Sequence, residues 1–276
     1  MPVNNELGKR MKDYYENIPK IKLTRRTPVI VRLDGKAFHT FTRGFKKPFD
    51  EILIKSMQET MKYLCENVQG CVLGYTQSDE ITLVIIDYQN LNTSAWFDYD
   101  VQKICSISGS MATLAFNKSF TKNAEEFMTD CAANYEMEGL CGKGTEEYKL
   151  CEVYQKAMEK GAMFDARCFN IPKEEVTNYF YWRQLDAIRT SIQMVGQAYF
   201  SHNILQYKTC EDIKDMLYVK DEIVWELLPI YKQRGSCCIK QDYIYENILR
   251  KQWVIDNNIP LFKDEGREYI EVLVNC

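Results

Sequence analysis

The residues with the most chemical potential in this sequence are two acidic groups, each placed at the end of an apolar run. In Pro28-Val-Ile-Val-Arg-Leu-Asp34-Gly35 a β-branched stretch ends in a carboxylate and a glycine. In Gly74-Tyr-Thr-Gln77-Ser78-Asp79-Glu80-Ile81 two strand-like halves flank a polar centre, and the apolar run continues to Ile86. Val29, Ile30 and Val31 suit a strand covered on both faces. Asp34 falls where that strand stops, and Gly35 lets the backbone turn while leaving its carbonyl uncovered. Gln77–Glu80 reads as a hairpin tip. Taken singly, each acid is explained as well by a turn. If the first strand pairs beside the hairpin, Asp34, Asp79 and Glu80 converge at one end of a sheet. Three carboxylates and a main-chain oxygen are hard donors that suit a pair of Mg²⁺ ions in phosphoryl transfer.

Cations and aromatics surround these acids in the sequence. Lys20, Lys22, Arg25 and Arg26 form a basic cluster, read either as a solvated loop or as a phosphate contact close to Asp34. Lys47 stands at the mouth of a predicted helix, where it could hold a triphosphate, and Lys103 lies in the first turn of another. Arg167, Arg183 and Arg189 are candidates for RNA phosphate, and each could equally form a structural ion pair. Phe38 and Phe41, with His39 between them, could stack on a nucleobase or belong to the core.

Positioning these groups calls for a series of elements. Leu7, Met11, Tyr14 and Tyr15 recur at helical spacing within residues 4–17. Strands are predicted over 28–34, 71–76, 80–86 and 164–171. Helices are predicted from Pro48, in a first turn that favours proline, to Asn67, and over 100–116, 146–159 and 174–199. Glu174 and Glu175 complement the dipole of the last of these. Residues 121–160 are the least readable stretch. Beyond a soft boundary near 200–205, short helices over 211–218 and 221–228 and strands over 236–245 and 253–255 are expected. The division is therefore a catalytic part over 1–200, with 121–163 as a variable insertion, and a helical and β-hairpin part over 201–276.

The totals narrow the class. The chain has 276 residues, 46% hydrophobic and 27% charged, which is a packed globular composition. Its net charge of -4 means that a nucleic-acid partner needs a local basic patch. No apolar run is long enough to span a bilayer, so no membrane is expected. Met1–Lys12 is polar and lacks a signal-peptide core. Eleven cysteines, without a C-x-x-C pair, fit reduced thiols and a cytoplasmic location. Two histidines make a His-based zinc site improbable.

Arg32-Leu-Asp34-Gly35-Lys-Ala-Phe-His39-Thr-Phe41, Lys47-Pro48, Tyr75-Thr-Gln77-Ser78-Asp79-Glu80, Phe164-Asp-Ala-Arg167 and Trp182-Arg183-Gln184-Leu-Asp186 stand in an order and spacing that resembles the tRNA-histidine guanylyltransferase family, in its guanylyltransferase-like, 3′-to-5′ polymerase branch. The resemblance covers most of residues 5–240. It implies a polymerase-palm-like, ferredoxin-like α+β fold, with helices packed on one face of an antiparallel sheet, and a homotetrameric assembly is carried over only as the family's habit. It implies that the 5′ end of a tRNA is activated, by adenylylation from ATP or by a triphosphate, and is then attacked by the 3′-hydroxyl of GTP or another nucleoside triphosphate. By the same resemblance Asp34 and Asp79 would ligate two Mg²⁺ ions, with the Gly35 carbonyl on one and Glu80 as a supporting acid. Lys36, Ala37, Phe38, His39 and Ser78 would form the nucleotide pocket. Lys47 and Lys103 would meet triphosphate oxygens, and Arg167 the RNA 5′ end. One departure is informative. Eukaryotic members carry His-Ile-Asn-Asn where this chain reads Ile188-Arg189-Thr190-Ser191. That favours templated repair of 5′-truncated tRNA over untemplated guanosine addition to tRNA-histidine. A palm-type nucleotide cyclase and a non-catalytic RNA-binding palm are the alternatives.

Overall fold

The computed structural model describes residues 5–138, 144–246 and 248–275. The chain opens with α1 (Asn5–Met11), continued as a π-helical turn over Lys12–Glu16. β1 (Val29–Gly35) is followed by the single turn α2 (Phe38–Phe41) and by α3 (Glu51–Asn67). β2 (Cys71–Gln77) and β3 (Glu80–Ile85) make a tight hairpin. α4 (Val101–Glu138) and α5 (Glu146–Lys160) lead into β4 (Phe164–Asn170), and then comes the long α6 (Val176–Tyr199). The short helices α7 (His202–Leu205), α8 (Cys210–Asp221) and α9 (Ile230–Arg234) precede a second hairpin, β5 (Ser236–Tyr245) with β6 (Ile248–Asp256). The last element is α10 (Glu268–Val274).

The six strands form one antiparallel sheet in the order β4-β1-β3-β2-β5-β6. This is the palm-like α+β arrangement expected. The inner strands are apolar away from the site, because both their faces are covered there, and carry Arg32, Asp34, Glu80 and Thr82 toward the hairpin end. Val29, Val31 and Leu33 of β1 and Ile81, Leu83 and Ile85 of β3 pack under Met57, Met61 and Leu64 of α3 and Phe116 of α4. The alternate residues Ile30 and Val84, with Tyr75 of β2, meet Val176 and Phe180 of α6 and Ile270 of α10. This corrects the expectation of helices on one face: α3 and α4 cover the first face, and α6 and α10 cover the second. The sheet runs on past residue 200, since Gly74, Tyr75 and Thr76 pair with Cys238, Cys237 and Ser236. Ile192 and Val195 of α6, with Ile213 and Leu217 of α8 and Trp225, fasten the intervening segment.

Several elements differ from expectation for identifiable reasons. α4 runs on far beyond residue 116, because Phe120, Ala124, Phe127 and Met128 continue its apolar stripe and no glycine or proline occurs from Asn117 to Glu138. α3 starts at Glu51, not in a turn containing Pro48. The Asp50 carboxylate accepts from Leu53 N at 2.9 Å and caps it there. The hairpin turn is only Ser78-Asp79, so Glu80 is already a strand residue paired with Gln77. α8 ends at a left-handed Glu222 (φ 54°), and a 3-10 turn over Trp225–Leu227 replaces the second short helix. β6 begins at Ile248, five residues earlier than predicted. The nine described cysteines are free thiols, while Cys141 and Cys276 lie outside the described residues. No described helix is long and apolar enough to cross a membrane.

Candidate active site

Asp34 is held by two neighbours at once. Its register partners are Glu80 on β3 and Asp165 on β4. The backbone N–H of Gly35 donates to the Asp79 carbonyl at 3.0 Å, which ties the end of β1 to the hairpin turn. A Cβ at Gly35 would stand 2.7 Å from Phe38 Cγ and closer still to the ring edge, so only glycine fits there. Ala37 then takes the left-handed conformation (φ 55°, ψ 40°) that swings the chain into α2. On the other side of the pair, Ser78 takes a left-handed φ of 51°, and its hydroxyl donates to Asp79 Oδ1 at 3.1 Å.

Burial pushes the Asp79 carboxyl above its ordinary range, the charge of Asp34 adds to the rise, and Ser78 and Arg32 oppose it. Two carboxylates brought together in this way are the donor set a divalent cation relieves. Among the described residues no group of three or more His, Cys, Asp or Glu side chains stands ready to hold a metal alone. Asp34, Asp79 and the Gly35 carbonyl would therefore leave coordination positions for water and phosphate oxygens, which is how Mg²⁺ binds in nucleotide sites.

Glu80 corrects the expectation of a third metal-facing acid. It is 3% exposed. Its Oε1 accepts from Arg183 Nε at 2.9 Å, and its Oε2 from Arg183 Nη2 at 2.8 Å and Arg32 Nη2 at 2.7 Å. The same ion pair corrects Arg183 as a contact for RNA phosphate, because its guanidinium is buried and also bonded to Asp186 Oδ2 at 2.9 Å. Burial works against the Arg183 charge, but Glu80 and Asp186 outweigh it and hold the group above its usual basicity.

Beside the carboxylates lies a cleft of about 420 Å³. It brings together Phe38, His39, Lys47, Ser78 and Asp79 from the expected site, and adds Thr42, Lys46, Asp50, Met194 and Gln197. Asp50 could have been found in the sequence as an acid just before a helix. Met194 and Gln197 could not, because they come from α6, more than a hundred residues later. Phe38 presents an edge to this cleft, but its ring and that of Phe41 pack with Phe116. The aromatic pair is therefore core. Lys36 and Ala37 are exposed and do not line the cleft, and Lys36 N donates to Met163 O at 2.8 Å. Lys103 is exposed in the first turn of α4, where its N–H donates to Asp100 Oδ1 at 3.0 Å. A smaller recess of about 90 Å³ shares Asp50 and Ser78 with the cleft and is closed by Thr190, Ser191, Tyr231 and Lys232.

The remaining arginines divide into two groups. Arg25 bonds to Asp98, which also holds Lys22, and Arg26 Nη1 donates to the Asn90 carbonyl at 3.1 Å, so both are engaged with one loop although exposed. Arg167 and Arg189 are also exposed, each with one acidic neighbour at 3.3 Å, Asp165 and Asp186 respectively. Arg167 is opposite Arg32 in the register, on the same face of the sheet as Asp34. Asp165, which sequence reasoning missed, lies beside Asp34 on β4. The signal was the alternation in Phe164-Asp-Ala-Arg167, which puts Asp165 and Arg167 on one face.

The comparisons with known proteins bear on the family and the fold. The family model described as tRNAHis guanylyltransferase (Thg1) matches residues 8–172. A solved bacterial tRNA(His) guanylyltransferase (Thg1)-like protein in complex with ATP is 39% identical, with a TM-score of 0.76 over 98% of this chain and 99% of its own. The same kind of protein in complex with GTP is also 39% identical, at a TM-score of 0.74. The uncharacterized protein R259 of Acanthamoeba polyphaga mimivirus is 28% identical over 94% of this chain and 85% of its own length. A probable tRNA(His) guanylyltransferase of Dictyostelium discoideum is 23% identical over 90% of this chain and 91% of its own. From the matched residues and the shared fold, the chain belongs to the tRNAHis guanylyltransferase (Thg1) family of nucleotidyltransferases.

Proposed function

We propose that this enzyme adds nucleotides to the 5′ end of tRNA in the 3′-to-5′ direction, and that the added nucleotide is chosen by pairing with the opposite strand. The observation that carries the reading is that the Gly35–Asp79 bond brings Asp34 close enough for its charge to act on Asp79, which lines a cleft with Lys47 and His39. Asp34, Asp79 and the Gly35 carbonyl would hold Mg²⁺, which when bound lowers the pKa of an attacking hydroxyl and offsets charge on a leaving phosphate. Lys47 supplies an ammonium to the triphosphate of a nucleotide in the cleft, and Ser78 closes the wall beside Asp79. Lys103, exposed in the first turn of α4 and outside the cleft lining, is the second cation assigned to triphosphate oxygens. Arg167 and Arg189 offer guanidiniums to the RNA backbone on the α6 side of the sheet. The relatives solved with ATP and with GTP support both as substrates here.

Support for the templated reading comes from residues 188–191. The position that closes the eukaryotic His-Ile-Asn-Asn segment is Ser191 in this chain. Its hydroxyl donates to the Lys232 carbonyl at 2.7 Å and accepts from Trp225 Nε1 at 3.0 Å. Here the segment makes structural bonds between α6 and the following region, with no imidazole to offer.

The test uses the full chain with Mg²⁺, nucleoside triphosphates and a tRNA lacking its first nucleotide. Extension at the 5′ end is expected, and changing the opposing nucleotide should change which triphosphate is consumed. Guanosine added whatever stands opposite would overturn the templated reading. Cyclic nucleotide, or RNA binding without product, would overturn nucleotide addition itself.

A further inference from the structure

The Glu80 carboxylate has no room for a metal ion. Besides three bonds from the two arginines, its Oε1 lies 3.3 Å from the Thr82 hydroxyl. Four donors fill what a carboxylate can accept. Yet Glu80 directly follows Asp79 in the chain and is opposite Asp34 in the register. Arg32 lies two residues before Asp34 on the same face of β1, and its charge is felt at Asp79. Arg183 reaches Glu80 from α6, bonded on its far side to Asp186 and lying 4.5 Å from the centre of the Trp182 ring.

We propose that Arg183, Glu80 and Arg32 are positioning residues, a buried ionic clamp that fixes the spacing of Asp34 and Asp79 for a shared divalent ion. Arg183 acts only through Glu80. The clamp works in two ways. The Arg183 fork anchors the first residue of β3 to α6, and so anchors the Ser78-Asp79 turn just before it. Glu80 also occupies Arg32, whose buried Nε has no acceptor and whose guanidinium would otherwise pair with Asp34 or Asp79 in competition with the metal.

This inference rests on the metal-dependent reading above, but it is tested without turnover. The probe is Mn²⁺, titrated by electron paramagnetic resonance into the full chain with a non-hydrolysable triphosphate analogue. Glu80→Gln keeps the shape and removes the charge, while Arg183→Lys keeps the charge and removes the fork. Both should weaken Mn²⁺ binding by roughly tenfold or more, the usual effect of losing an outer-shell partner, while binding of the analogue in EDTA stays unchanged. If Arg183→Lys does not fold, Asp186→Asn, which frees only the far side of the guanidinium, should show a smaller loss of the same kind. Wild-type Mn²⁺ affinity in the folded variants would overturn the clamp. A loss in Glu80→Gln alone would also overturn it, by making Glu80 a direct ligand. A wild-type chain that binds Mn²⁺ but extends no tRNA would sink the functional reading and leave the clamp standing.

Discussion

The hydroxyl of Tyr154 donates to Asp50 Oδ2 at 2.7 Å, across 104 positions of sequence. Tyr154 comes from α5, inside the stretch that was hardest to read, and Asp50 caps α3 at the wall of the cleft. The same carboxylate accepts from Lys46 N at 3.0 Å, so it sets the path of the chain through Lys46 and Lys47. α5 thus braces the wall that carries a proposed triphosphate contact.

Tyr154→Phe should remove that brace while keeping the ring among Phe45, Phe120 and Phe127. Asp50 keeps its bonds from Lys46 N and Leu53 N, so the loss is that of one hydrogen bond to a charged group, about 1.5–3 kcal/mol. Urea unfolding should show the loss, and an unchanged midpoint would mean that Asp50 is held well enough by the backbone alone.

Gly35→Ala should be more damaging than its single methyl suggests. The new Cβ would overlap the Phe38 ring, and overpacking of this kind costs about 1–3 kcal/mol. Phe41, Phe116 and Phe164 hem the ring in, so the Gly35 backbone and its bond to Asp79 should yield, and nucleotide addition should fall further than stability does. Calorimetry beside the 5′-extension assay checks this, and parallel small losses would contradict it.

Much of this arrangement was legible in the sequence. The runs Val29–Leu33 and Ile81–Ile86 announced buried strands, and the acids at their ends announced where they meet. What could not be read were partners set by tertiary packing. Nothing local to Glu80 shows that Arg183, 103 residues away, consumes its charge. Nothing local to Phe38 or Phe41 separates a ring stacked on a base from a ring packed on Phe116. The length of α4 was readable in retrospect, because its apolar stripe never breaks before Cys131.

Asp79 carries a pH prediction with a definite sign. Burial, with the Asp34 charge added, raises its carboxyl in the folded state, so the fold binds that proton more tightly than the unfolded chain does. The resulting stability is complete below the ordinary carboxylate range and is lost as pH rises through the raised value. Ionised Asp79 therefore works against the metal-free fold at neutral pH. Asp79→Asn should melt above wild type in EDTA at about pH 7.5, with the gap closing toward about pH 4, and it should lose both activity and stabilisation by Mg²⁺. A lower melting temperature at neutral pH would refute the account.

Lys47→Ala should act on the nucleotide alone. Losing one charge-assisted bond is worth about 1.5–3 kcal/mol, so the KM for the triphosphate should rise about tenfold or more. The KM for tRNA should stay near wild type. Steady-state kinetics with each substrate varied in turn would show this, and an unchanged nucleotide KM would remove Lys47 from the site.

The two proposed metal-binding acids hang from the middle of the sheet. Asp34 ends β1, Asp79 sits in the turn that leads into β3, and both strands have hydrogen-bonded neighbours on either side. Strands so enclosed open only when the whole molecule does. Amide protons along Val29–Leu33 should therefore exchange at the rate of global unfolding, and warming should abolish activity in the same transition that melts the protein, with no earlier loss of the site.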